Sequence, residues 1–125
     1  MNIPISNGDL LDKMSVLKIK LEKITDEKKN KNILNEYILL KPYVDELCND
    51  IEIANLFHEL TRVNLVLWNI EDKIRDCEKN KNFNDQFIQL ARDIYFNNDK
   101  RSLIKKEINE KTKSEIIEEK SYSSY

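Results

Sequence analysis

Apolar residues recur along this chain every three or four positions and almost nowhere in alternation, the spacing of a helical stripe rather than of a strand face. Between 7 and 24, Leu10, Met14, Leu17, Leu21 and Ile24 follow one another at 4, 3, 4 and 3. Lys13, Lys18, Lys20 and Lys23 lie mostly off that stripe, on the solvated side. Ser6 with Asp9 three residues on resembles a capping box with a carboxylate in the first turn, and Gly8 sits inside it. Thr25 or Asp26 is expected to cap a second helix carrying Ile33, Leu34, Tyr37, Ile38 and Leu40. Pro42 should kink or end it, because proline has no N–H to donate and crowds the preceding turn. Residues 42–52 carry no clear pattern.

The third helix, 53–79, is the clearest element. Leu56, Leu60, Val63, Leu67, Ile70, Ile74 and Cys77 keep the alternating spacing, which predicts a rod about 40 Å long that must lie along a partner helix. Asn82 or Asn84 could cap a further helix with Phe83, Phe87, Leu90, Ala91 and Ile94, and Leu103, Ile104 and Ile108 restore the period beyond it. The pattern as a whole predicts an all-α protein, an antiparallel helical bundle or long helical hairpins of three to five helices, dimeric through one long coiled-coil-like stripe. One helical domain is expected over 1–120 and a flexible C-terminal tail over 121–125.

Composition narrows what such a bundle can do. The 125 residues include one Gly, two Pro and one His, against about nine Gly and six Pro in an average chain of this length. A glycine-rich dinucleotide loop, a phosphate-cradling loop and a many-turned β fold are therefore excluded. His58 alone cannot form a two-histidine metal site or a pair of catalytic histidines. Lys+Arg 21 against Asp+Glu 23 gives a net charge of -2, without the basic excess that binds phosphates, so no nucleic acid is expected. No apolar run reaches the 18 or so residues of a membrane span, and Met1 to Ser6 has no charged n-region followed by an apolar one. The expectation is a soluble, cytoplasmic chain with no membrane span. Cys48 and Cys77 read as reduced thiols, Cys77 on an apolar helical face, and no metal or cofactor is expected.

Two places depart from a plain core pattern. Trp68, Glu71, Asp72 and Arg75 fall within one arc of about 100°, roughly 110° from the apolar stripe of the same helix, and Phe57, Thr61 and Asn64 extend that face. One reading is a second packing surface with an exposed Glu71–Arg75 pair; the other is an aromatic wall beside two carboxylates and a guanidinium that could hold a charged small molecule. The second place is Tyr95 to Arg101. If the helix from 83 continues to about 112, Arg101 joins the stripe of Phe87, Leu90, Ile94 and Ile108. Asn97 and Asn98 then flank it, with Lys105 one turn on. Arg101 would then need a buried carboxylate, Glu71 or Asp72 being the candidates. If Asn98 and Asp99 break the helix, Arg101 stays in water. The candidate ligand- or partner-binding set is thus Trp68, Glu71, Asp72, Arg75, Asn98, Arg101 and Lys105.

The stretches Pro4 to Lys13, Leu67 to Arg75, Leu90-Ala91-Arg92, Asn98 to Arg101 and Glu118 to Tyr122 resemble the recurring motifs of an uncharacterised family of short bacterial and phage-borne proteins, which open with P-I-S-x-G-E-L-L-D-K. Asp9 stands where that family usually has Glu. The resemblance spans the chain except about 27–52 and implies a role near surface-polysaccharide assembly, with the Glu118 to Tyr122 segment as a docking element. Three functions are consistent with the residues. The first is an accessory or interaction module, a homo-oligomer that positions a partner protein. The second is a small helical-bundle enzyme holding an anionic small molecule or nucleotide sugar. The third is a metal-dependent nucleotide hydrolase, for which Glu36, Glu71, Asp72 and Asp76 supply no matched second acidic pair.

Overall fold

The first helix, α1 (Asn7–Lys23), begins where the Ser6 hydroxyl accepts a hydrogen bond from Asp9 N at 3.0 Å. The computed structural model describes residues 1–125 and places three more helices after it: α2 (Glu27–Leu47), α3 (Ile51–Lys79) and α4 (Asp85–Lys111). Each opens on a side-chain cap: Asp26 accepts from Lys29 N, Asp50 from Glu52 N, and Asn84 from Gln86 N and Phe87 N. There is no strand, so the all-α expectation holds.

Pro42 neither ends nor delimits α2, contrary to the sequence expectation. A proline inside a helix costs about 3 kcal/mol. Here Val44, two residues on, is buried in the core, with Tyr37, Leu40 and Leu47 packed around it. That burial holds the last turns of α2 in helical form. Residues 42–52 are accordingly the end of α2, a turn at Cys48 to Asp50 and the first residues of α3.

The structure also decides between the two readings of Asn97 to Asp99, since α4 runs through them without a break. Asn97 Nδ2 donates to the Asp93 carbonyl at 2.8 Å, so its amide is satisfied within the helix rather than ending it.

α1 is the inner helix and packs against all three others. Leu10, Leu11, Asp12, Met14, Ser15, Leu17 and Ile19 are buried. A single stripe was expected; burial on nearly every side is what a helix with three neighbours requires. α3 and α4 form a long antiparallel pair, about 43 Å and 40 Å, whereas α1 reaches about 25 Å. Around α1 lies the main core of Leu10, Leu11, Met14, Val44, Ile53, Leu56, Leu60 and Ile108. Beyond its end the α3–α4 hairpin continues as a two-helix arm with a smaller cluster of Ile70, Cys77 and Leu90, flanked by Ile74, Phe87 and Ile94. The long stripe of α3 is therefore spent on α4 of the same chain, and contact with a second copy would have to use another face. No helix is long and apolar enough to cross a membrane.

Candidate functional site

Because α1 has neighbours all round, its two mid-helix polar residues cannot reach bulk water and must find partners inside. Asp12 is 6% exposed and Ser15 is fully buried. The Asp12 carboxylate takes a bidentate grip from Arg101, Nε to Oδ1 at 2.8 Å and Nη2 to Oδ2, and Oδ1 also accepts from Asn64 Nδ2 at 2.9 Å. Asn64 Nδ2 donates again to Ser15 Oγ at 2.6 Å, and Ser15 Oγ donates to the Asp12 carbonyl at 2.7 Å. One carboxylate thus ties α1 to α3 and α4.

A second group lies one turn toward the start of α1. Lys105 Nζ is 2.7 Å from Asp9 Oδ1 and 3.4 Å from Glu118 Oε1, and the Ser6 hydroxyl donates to that same Glu118 oxygen at 3.3 Å. Gly8 N donates to Asn109 Oδ1 at 2.6 Å. A Cβ on Gly8 would stand 2.6 Å from the Lys105 carbonyl oxygen, so the only glycine of the chain sits where α1 and α4 approach most closely. Asn7 Nδ2 donates to Thr112 Oγ1 at 2.9 Å and Asn7 N to Ser114 Oγ at 3.1 Å, closing the seam at its end.

The charges of the seam are balanced locally. Burial works against ionising Asp9, but hydrogen bonds from Lys105 and with Glu118, and the charges of Lys105 and Arg101, outweigh it and hold the carboxyl below its ordinary range. For Lys105, burial favours the neutral amine, yet Asp9, Asp12 and Glu118 together raise it above the usual lysine value. Arg101 is raised chiefly by its hydrogen bond to Asp12. No buried side-chain nitrogen or oxygen of the seam lacks a partner. Beside the seam lies a hollow of about 320 Å³ bordered by Asp9, Asp12 and Arg101 with Lys13, Lys20 and Glu36. Lys13 is already paired with Glu36 at 2.8 Å.

The candidate set divides in two. Arg101 and Lys105 sit together in the seam. Trp68 is half-buried, while Glu71, Asp72 and Arg75 are exposed on α3, with Arg75 and Glu71 in a loose pair at 3.5 Å. Asn98 is exposed and lies with Tyr95, Asp99 and Tyr125 on the outer side of α4, where Tyr125 Oη donates to Asp99.

Neither Glu71 nor Asp72 is the partner of Arg101; Asp12 is. The reason is axial register. Counting outward from the Lys79–Asp85 turn of an antiparallel pair, Arg101 falls level with about residue 63 of α3, roughly 14 Å from Asp72. Asp12, Ser15, Asn109 and Glu118 were not singled out by spacing. The available signal was on α1: with Leu10, Leu11, Met14, Leu17 and Ile19 all round it, Asp12 and Ser15 have no side left that faces water.

These features define an all-α protein whose buried polar seam ties three helices together. The chain belongs to DUF6165, a family of unknown function, whose profile spans residues 1–125. No curated protein and no solved structure matches it.

Proposed function

We propose that this chain is an accessory interaction module, cytoplasmic and homo-oligomeric, that positions a partner protein, and that its setting is the surface-glycan assembly implied by the motif resemblance. The observation carrying this reading is the distribution of apolar side chains. Eighteen large ones are exposed, among them Leu34, Ile38, Leu39, Tyr43, Val66 and Leu103, against thirteen buried hydrophobic residues. A folded chain that leaves more large apolar groups in water than it buries is suited to covering them with protein. The seam supports the same reading, since Asp12, Arg101, Asp9 and Lys105 are saturated by one another and serve to fix the helices.

The test is mass. Multi-angle light scattering of the purified chain, together with cross-linking in the cell that makes it, is expected to give a discrete complex heavier than 14.9 kDa. A strictly single chain that cross-links to nothing would end this reading.

A second reading, an enzyme holding an anionic small molecule or nucleotide sugar, is favoured by the hollow beside Arg101, where Lys20 has no carboxylate within 4 Å. Trp68 lies one helical turn beyond Asn64 on the same face and offers a fluorescence probe. Titration with nucleotide sugars and nucleotides is expected to leave its emission unchanged; saturable quenching abolished by Arg101→Ala would move the assignment to an enzyme.

A further inference from the structure

α1 covers one side of the α3–α4 pair, the side of Leu60 and Asn64 on α3 and of Arg101 and Lys105 on α4. The opposite side carries no helix. A groove of about 440 Å³ runs there between α3 and α4, floored by Val63, Val66 and Leu103 and edged by Glu59, Arg62 and Lys100. Val66 is 45% exposed and Leu103 69%. We propose that this groove is the contact face between two copies of the chain, each laying its own groove on the other's about a two-fold axis. The proposal deepens the interaction-module reading and rests on it.

Two observations select a second copy as the occupant. The first is area. The chain exposes 9100 Å², whereas a compact monomer of its mass exposes about 7,000 Å². The segments before Asn7 and after Lys111 account for part of that excess, and the uncovered side of the hairpin contributes the rest. An excess of roughly 2,000 Å² is of the size that one protomer contributes to an extensive homodimer.

The second is charge. In a two-fold interface a patch meets itself, so a patch of one sign repels its copy. This one carries both signs, and none of Glu59, Arg62 and Lys100 has an ion-pair partner within its own chain, although nine such pairs form elsewhere. Glu59 of one copy is placed against Lys100 of the other.

Sedimentation equilibrium of the full chain in the micromolar range tests this. The expected mass is twice 14.9 kDa. Val66→Asp and Leu103→Asp, both on exposed positions, are expected to weaken the dimer by about tenfold or more each while helical circular dichroism stays unchanged. Glu59→Lys and Lys100→Glu should each dissociate alone and re-form a dimer when the two variant chains are mixed, which a merely structural effect would not produce. A dimer indifferent to all four substitutions overturns the proposal. So does a monomer; if that monomer still cross-links to another protein, the interaction-module reading stands and only the second copy is lost, whereas a monomer without any partner ends both.

Discussion

The half of the molecule built around α1 and the arm beyond it are made from the same two long helices, yet they are held in different ways. Around α1 every helix meets α1, eight residues form one core, and a saturated polar seam crosses it. In the arm, α3 and α4 meet only each other, and three residues form the cluster. The difference shows how one added helix converts an open hairpin into a core: α1 supplies apolar side chains on nearly all sides and two polar ones that lock the register. Stability should be concentrated there, and the arm should behave as a rod held at one end.

The largest effect that can break this contrast is a cavity. Leu11 and Leu60 are both fully buried in the main core, and Leu60→Ala is expected to cost about 3 to 5 kcal/mol in urea unfolding. Ile70→Ala, in the arm, removes a side chain 7% exposed beside fewer neighbours that can close over the gap, and about 2 kcal/mol is expected. Equal losses at the two sites would show that the arm is as tightly held as the core.

Next comes the seam. Asp12→Ala leaves Arg101 and Asn64 facing an empty position in the interior. Removing one member of a buried pair costs about 3 to 5 kcal/mol, and because the Arg101 side chain is 33% exposed and can turn toward water, about 2 to 3 kcal/mol is the expectation. Gly8→Ala follows. Alanine favours a helix, but its methyl group would meet the backbone oxygen of Lys105, so α1 and α4 must separate, at about 1 to 3 kcal/mol. A neutral or stabilising Gly8→Ala would mean that the two helices do not approach as closely as the seam requires.

How far this was legible depends on what a helical period encodes. Spacing gives rotation about a helix's own axis, and so it located four helices, the Ser6, Asp26 and Asn84 caps, and the inward turn of Arg101. It does not state which helix comes to a given face or at what height. Asp72 and Asp12 are equally acidic and equally helical, and only the axial register of the α3–α4 pair separates them. The same limit hid the inner position of α1, because a dominant stripe at Leu10, Met14 and Leu17 masks the second one through Leu11, Ser15 and Ile19. Pro42 was misread for a different reason: a local cost was weighed without the burial of Val44 that offsets it.

pH should also separate the two regions. Asp9 has its folded value lowered, so its contribution to stability is present above the ordinary aspartate range near 3.9 and is lost as pH falls through the lowered value. Lys105 has its folded value raised, so its contribution is complete below the ordinary lysine value near 10.4 and is lost as pH rises through the raised one. Amide exchange around α1 should therefore quicken at both extremes, more than intrinsic chemistry accounts for, while the arm's protection follows intrinsic chemistry alone. Asp9→Asn should remove the acid limb of that response.

The smallest effect is expected on the exposed α3 face, and it bears directly on function. The Arg75 and Glu71 side chains are 80% and 49% exposed at 3.5 Å, a geometry in which an i, i+4 pair contributes about half a kcal/mol or less. Glu71→Gln and Arg75→Gln, singly or together, should leave urea unfolding almost unchanged, in contrast to Asp12→Ala. That near-neutrality makes them clean probes of binding. A loss of partner cross-linking in a Glu71→Gln, Arg75→Gln chain of unaltered stability would place the partner against the Trp68 side of α3; full retention would leave the outer faces of α2 and α4 as the partner surface. A stability loss as large as that of Asp12→Ala would break the contrast itself, because an exposed pair on a rod anchored at one end has no buried neighbour through which to act.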